Sequence, residues 1–220
     1  MKPFDALHKS AVRRHGEEEL NARLPKIKTA RALSTMPDDR YLSAMAKCIF
    51  QAGFVWKVVE NMWPGFEDVF LGFSPERLTK LKPGQIDSIK QDQRIIRNPQ
   101  KIEAVFDNAQ FVSRLSAEHG GFGRFLAGWP ADDLAGLWQK LSREGSRLGG
   151  ITGPRFLRNV GKDTYIFSPD VVKALIGAGA VDKAPTGKAA LAACHRVFAQ
   201  WHVESGRPYS ELSMIAACSV

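Results

Sequence analysis

Apolar residues recur along most of this chain at intervals of three and four, the period of a helix that buries one face. From Asp38 to Val59 they are dense, with Leu42, Met45, Ala46, Ile49 and Phe50 on one stripe until Gly53 interrupts, which predicts two buried helices or one broken one. Asn98-Pro99 supplies an N-cap and a proline at the first helical position. Ile102, Val105, Phe106, Ala109, Val112 and Leu115 then repeat in register as far as Gly120-Gly121. Pro130 and Asp132 open a further helix with Leu134, Leu137, Trp138 and Leu141 on one face, and Thr186 to Ser205 holds Leu191, Val197, Phe198 and Trp201 in similar register. Strand character is confined to Thr164–Phe167, too short for a sheet. The pattern predicts an all-α fold, with residues 1–35 as a basic helical arm and residues 36–220 as one domain or two small lobes sharing a core.

Composition adds limits to that picture. With 44% hydrophobic and 25% charged residues in a chain of 220, a sizeable core forms and a disordered chain is excluded. No apolar run approaches the roughly 18 residues of a membrane span, and the opening MKPFDALHKS lacks the apolar stretch of a secretory signal, so a cytoplasmic protein is expected. Cys48, Cys194 and Cys218 are scattered and form no C-x-x-C, which signals neither a disulfide framework nor a four-ligand zinc site. Among the five histidines there is no H-E-x-x-H pair, and His195 and His202 read as polar positions on an apolar helix. Neither metal nor cofactor is expected.

The net charge of +8 is unevenly spread. Residues 1–31 carry eight basic and four acidic side chains, 90–101 four and one, and 140–173 seven and three, whereas 102–139 carries two and five. A folded chain with one positive face attracts a polyanion through counterion release; solvated surface lysines and arginines with no partner are the alternative.

Three segments carry candidate chemistry. In Leu148-Gly149-Gly150-Ile151-Thr152-Gly153-Pro154-Arg155, a glycine-rich turn joins two helices, and the N–H groups of the second helix can hold a phosphate, with Arg143, Arg147, Arg155 and Arg158 adding charge. Farther on, Tyr165-Ile166-Phe167 leads into Ser168-Pro169-Asp170, a capped helix start with a carboxylate in its first turn. Beside a DNA cleft, such a carboxylate can stabilise positive charge on a deoxyribose as its base departs and can orient water; an ordinary first-turn aspartate is the other reading. Third, Cys48-Ile49-Phe50-Gln51-Ala52-Gly53-Phe54-Val55-Trp56 sets a glutamine among aromatics, which suits stacking on a flat base and reading its edge, or core packing.

In order, QAGFVW at 51–56, PERLTKL at 75–81, IIRNPQKIEAVFDNA at 95–109 and the glycine hairpin with its downstream Asp resemble the helix-hairpin-helix DNA glycosylases, most closely the 3-methyladenine DNA glycosylase I family. The similarity runs from Ile49 to Asn108, and more loosely, toward the wider superfamily, from Leu148 to Leu175. It implies two helical lobes with a base pocket between them, nucleotide flipping and metal-free hydrolysis of the N-glycosidic bond. Gln51 and Trp56 match the family's pocket motif, and with Phe50, Cys48 and Tyr165 they are expected to line the base pocket. Gly150, Thr152, Gly153, Arg155, Arg158, Arg97 and Lys101 are placed on DNA, and Asp170 as the catalytic carboxylate of the wider superfamily. Two departures stand out. Where the family has a glutamate that reads the methylated adenine, this chain has Cys48, and no cysteine precedes Cys48 to build the family's zinc clasp. With no lysine inside the hairpin and Lys162 the nearest, a monofunctional enzyme is expected, monomeric on duplex DNA bearing a damaged base. Alkylated bases, positively charged and weakly bonded, are the expected substrates, since they stack well on aromatic faces. A non-catalytic binder of distorted DNA on the same fold is the alternative.

Overall fold

The computed structural model describes residues 1–185 and 187–220, with Lys188 described by its backbone alone. Along the chain run α1 (Phe4–His15), α2 (Glu17–Arg23), α3 (Ala30–Ser34), α4 (Asp38–Gln51), α5 (Trp56–Val69), a 3-10 turn (Leu71–Phe73), α6 (Pro75–Leu78), α7 (Pro83–Gln91), α8 (Pro99–His119), α9 (Phe122–Gly128), α10 (Leu134–Glu144), α11 (Thr152–Val160), α12 (Pro169–Gly177), α13 (Gly187–Ser205) and α14 (Tyr209–Cys218). Among the described residues there is no strand, and Thr164–Phe167 lies outside the helices. The helix start expected at Thr186 falls outside the described residues. The chain divides into two compact units, residues 28–162, and residues 1–27 together with 163–220.

In the unit 28–162, α4 and α8 pack on each other and expose almost no apolar surface, because each has apolar residues on two sides. Tyr41, Met45, Cys48 and Ile49 of α4 join Ala104, Phe111, Val112 and Leu115 of α8 in one core with α9, α10 and α11. Leu42, Ala46 and Phe50 join Ile102, Val105, Phe106 and Ala109 in a second core with α5, the 3-10 turn and α6. Each buried Leu, Ile or Phe contributes about 1.5–3 kcal/mol of transfer free energy, so the pair anchors the unit from both sides. The start of α8 is set locally: the Asn98 side chain accepts from the Lys101 N–H at 3.1 Å, and Pro99 occupies the first turn. Two polar residues of α8 are buried with this stripe, Lys101 in the first turn and the fully buried Asn108.

In the unit of 1–27 and 163–220, α1 packs on α13 and α14, and α2 on α14. The basic stretch read as an arm is thus divided, with residues 1–27 in this unit and 28–35 in the other. Phe4 contacts Trp201 (centroids 5.8 Å apart), Trp201 meets Phe198 edge-on, and Phe198 stacks on Tyr165 at 4.4 Å. The extended piece before α12 docks on the first turn of α14. Asp163 accepts from the Tyr209 and Ser210 N–H groups at 3.1 and 2.8 Å, and Ser210 Oγ bonds both N–H and C=O of Thr164. Among the described residues no helix is long and apolar enough to cross a membrane.

Candidate functional site

Helix α10 ends at Glu144, and residues 145–151 turn the chain into α11. Asn108 clamps this turn from below: its amide nitrogen donates to the Ser146 carbonyl and its oxygen accepts from the Ser146 N–H, both at 2.9 Å. Gly150 takes φ +58°, a left-handed conformation open to glycine without a Cβ penalty. Gly153 answers a different demand, close approach, because a Cβ there would lie 2.5 Å from the Leu148 carbonyl oxygen. Gly153→Ala is therefore expected to push the turn off α11 and lower stability by about 2–3 kcal/mol, while Gly150→Ala costs about 1 kcal/mol. Urea unfolding of the two variants beside the parent checks the order.

Arginines surround the turn. Arg147 itself adopts φ +57° and donates to the Gln100 side chain at the start of α8. Arg97, just before α8, and Arg143, near the end of α10, are exposed. Neither forms an ion pair among the described residues. Lys101, read from the sequence as a phosphate contact, turns inward instead. It is 6% exposed, and its amine donates to the Phe50 and Ala52 carbonyls at 3.1 and 2.6 Å, capping the last turn of α4, and lies 4.5 Å from the Phe54 ring centre. Burial, and secondarily the like charge of Arg147, holds the Lys101 ammonium below its ordinary pKa.

Past α4 the chain turns at residues 52–55 and exposes Phe54, Val55, Trp56 and Val58, an unusual run of apolar side chains in water. The Arg155 guanidinium covers the Trp56 ring at 4.7 Å from its centre. One turn further along α11, on the same face, Asn159 donates its amide to Cys48 Sγ at 3.3 Å. Gln51 is the last residue of α4 and is buried. Phe50, expected to face a base, is instead fully buried edge-on against Phe66 at 4.6 Å, because its place on the α4 stripe points into the second core. Tyr165 likewise is fully buried, its ring stacked on Phe198 and its hydroxyl 3.2 Å from His195 Nδ1. Neither offers a ring face to a base.

Burial pushes the Cys48 thiol up to about 11 from its ordinary value of 9.0, with Arg155, the Asn159 amide and Lys47 pulling weakly the other way. A raised folded-state pKa gives stability that is present below the unfolded value and is lost as pH rises through the folded one. Between pH 9 and 11 this thiol accordingly removes about 2–3 kcal/mol of stability. Cys48→Ala is expected to flatten that alkaline decline in urea titrations. Buried as it is, native Cys48 is expected to resist alkylation below pH 9.

Among the other expected site residues, Thr152 opens α11, Arg158 sits in its last turn, and Asp170 is exposed in the first turn of α12 behind the Ser168 cap, whose Oγ accepts from the Val171 N–H at 3.2 Å. The Lys162 amine donates to the Leu126 and Trp129 carbonyls at 2.8 and 3.3 Å. The sequence reading missed Asn159 and Asn108. The spacing of four from Arg155 marks Asn159 once Arg155 is chosen, whereas nothing local marks Asn108.

A comparison with protein families matches residues 34–143, half of the chain, to the model for methyladenine glycosylase. The chain belongs to the methyladenine glycosylase family. It is a DNA-repair enzyme, a monofunctional glycosylase that binds DNA and hydrolyses the bond joining a damaged base to its sugar. The matched segment ends in α10, before the hairpin, and the fold likeness extends beyond it. The glycosylase resembles 3-methyladenine DNA glycosylase I from Staphylococcus aureus at 18% identity and TM-score 0.52, covering 70% of this chain and 92% of that one. It resembles the 8-oxoguanine DNA glycosylase of Methanocaldococcus jannaschii at 15% identity and TM-score 0.58, covering 96% and 89%. The latter in complex with DNA containing 8-oxoguanine gives 14% identity and TM-score 0.57, covering 97% and 94%. At these identities the likeness concerns the fold alone, an all-α helix-hairpin-helix fold. The zinc clasp of the resembled family does not fit this glycosylase: among the described residues no three of His, Cys, Asp and Glu come together as metal ligands, and all three cysteines are buried.

Proposed function

We propose that this glycosylase acts as a monomer on duplex DNA and removes an alkylated base. The observation that carries the reading is the exposed Trp56, covered by Arg155, in the same compact unit as a hairpin whose glycines and arginines present N–H groups and charge. Arg97, Arg147, Arg158 and the turn at Gly150, Thr152 and Gly153 hold phosphates on either side of the damaged nucleotide. Trp56 receives the extruded base, and Gln51 and Cys48 line its edge. The bond to the sugar lengthens before water arrives, so positive charge gathers on the deoxyribose, and Asp170 is the carboxylate we assign to stabilise that charge and orient the water.

The test is release of free bases from alkylated duplex DNA, followed by mass spectrometry, alongside binding to undamaged duplex at several salt concentrations. The expected result is release of at least one alkylated base and an affinity that falls as salt rises. Salt-dependent binding with no base released from any alkylated DNA would return the chain to a non-catalytic reader of distorted DNA. Gel filtration with light scattering checks the monomer.

A further inference from the structure

One flank of α5 alternates aromatic rings with carboxylates. Trp56, Glu60, Trp63 and Glu67 follow at steps of four, three and four, the spacing that lines side chains along one side of a helix. Three of the four hold a cation from a neighbouring helix. The Arg155 guanidinium of α11 lies 4.7 Å from the Trp56 ring centre, and the Lys47 amine of α4 lies 5.1 Å from that of Trp63. Glu67 accepts from Arg40 of α4 on both oxygens, at 3.0 and 2.9 Å, from Ser43 Oγ at 2.8 Å and from the Trp63 indole N–H at 3.1 Å. The bond from Trp63 to Glu67 spans one turn, so the flank keeps its helical register past Pro64. Glu60 is different. It is exposed, and among the described residues it forms no ion pair or hydrogen bond.

Helical geometry aims this carboxylate. Side chains on a helix tilt toward its N-terminus, so a residue at i+4 covers the surface over the residue at i, and Glu60 leans back toward Trp56. The Trp56 indole is 45% exposed, which leaves ring surface for a flat partner with the Glu60 carboxylate beside the stack. Arg155 and Lys47 make this neighbourhood positive, and Glu67 is already bound to Arg40. A neutral ring arriving on Trp56 needs no counter-charge, whereas a cationic one meets Arg155 and is offset by Glu60.

On the reading that this enzyme removes an alkylated base, we infer that Glu60 is a specificity-determining residue, whose carboxylate pairs with the positive charge of a base stacked on Trp56 and so selects charged alkylated bases over neutral ones. A purine methylated at a ring nitrogen such as N3 or N7 carries its positive charge while it is joined to the sugar. As the glycosidic bond breaks, its electron pair passes to the base, which leaves neutral, and the positive charge passes to the sugar; water then adds there and gives up a proton. Glu60 therefore attracts the bound substrate more than the state in which the bond is breaking. Its contribution falls on capture of the damaged base and not on the rate of cleavage.

The experiment measures initial rates of base release by the full chain from duplex DNA treated with a methylating agent, over a range of DNA concentrations, with the released bases identified by mass spectrometry. Glu60→Gln is expected to raise KM for the methylated purine about tenfold while kcat stays within about twofold. Affinity for undamaged duplex should hold or rise slightly, because a negative charge has been removed. Glu60→Asp, which keeps the charge, is expected to recover most of the loss. An unchanged KM in Glu60→Gln, with the parent active, overturns the inference and leaves the alkylated-base reading standing. A fall in kcat at unchanged KM overturns it as well, since Glu60 would then act on bond breaking. Release by the parent of an uncharged adduct alone, read on a duplex with a single 1,N6-ethenoadenine, does the same. No alkylated base released from either DNA overturns reading and inference together.

Discussion

Asp170→Asn is expected to slow base release by about a hundredfold, some 3 kcal/mol in the barrier, while leaving the fold intact. The side chain is exposed, and the cap of α12 rests on Ser168 and Val171 rather than on Asp170, so the amide keeps the shape and the helix start. What it removes is one negative charge, which matters only in a state where the sugar becomes positive. Affinity for undamaged duplex should hold or rise slightly, because an anion has been taken from a surface that binds a polyanion. A rate loss with equal or tighter binding therefore separates a role in the reaction from a role in docking. If release is unchanged, Asp170 is an ordinary first-turn aspartate and the charge on the sugar is met elsewhere.

Lys101→Met should lower stability by about 3 kcal/mol, or roughly 8 °C in Tm for a chain of this size. Methionine fills the same volume but leaves the Phe50 and Ala52 carbonyls without the donor that closes the end of α4. The salt dependence of DNA binding should not change, since the ammonium already serves two carbonyls. Arg97→Ala is the control with opposite signs: little stability is lost, and the slope of log affinity against log salt falls by about one. The pH dependence adds a check. A lysine whose folded pKa is depressed contributes stability that is present above its ordinary value and is lost as pH falls through the folded one. The parent therefore gains on the variant as pH rises through that window toward 10.5, against the decline that Cys48 imposes.

What could be read in advance was what neighbours in sequence decide. Asn98-Pro99 and Ser168-Pro169 state their helix starts because cap and first turn lie within three residues of each other. The stripe of α8 and the glycine turn before α11 are equally local. Where two adjacent residues qualify, the pattern does not choose: Asp133 rather than Asp132 caps α10, its side chain accepting from the Gly136 N–H at 2.9 Å. Side-chain direction was less accessible. Phe50 and Phe54 stand one helical turn apart in the same motif, yet one is core and the other exposed, since α4 ends between them. Lys101 reads as surface charge until the end of α4 is seen beside it. The Cys48–Asn159 contact joins residues 111 positions apart, a pairing that only the packing of α11 on α4 brings about.

Because α4 and α8 each lend residues to both cores, loosening either core strips support from the same two helices. The unit 28–162 should therefore open as a single cooperative block. Its slowest-exchanging amides should be those of Leu42–Phe50 and Ile102–Val112, whichever core a destabilising substitution strikes. Hydrogen exchange on Leu137→Ala, in one core, and Phe73→Leu, in the other, should show the same protected pair giving way together. The exposed run at Phe54–Val58, standing outside both cores, should exchange freely in every variant.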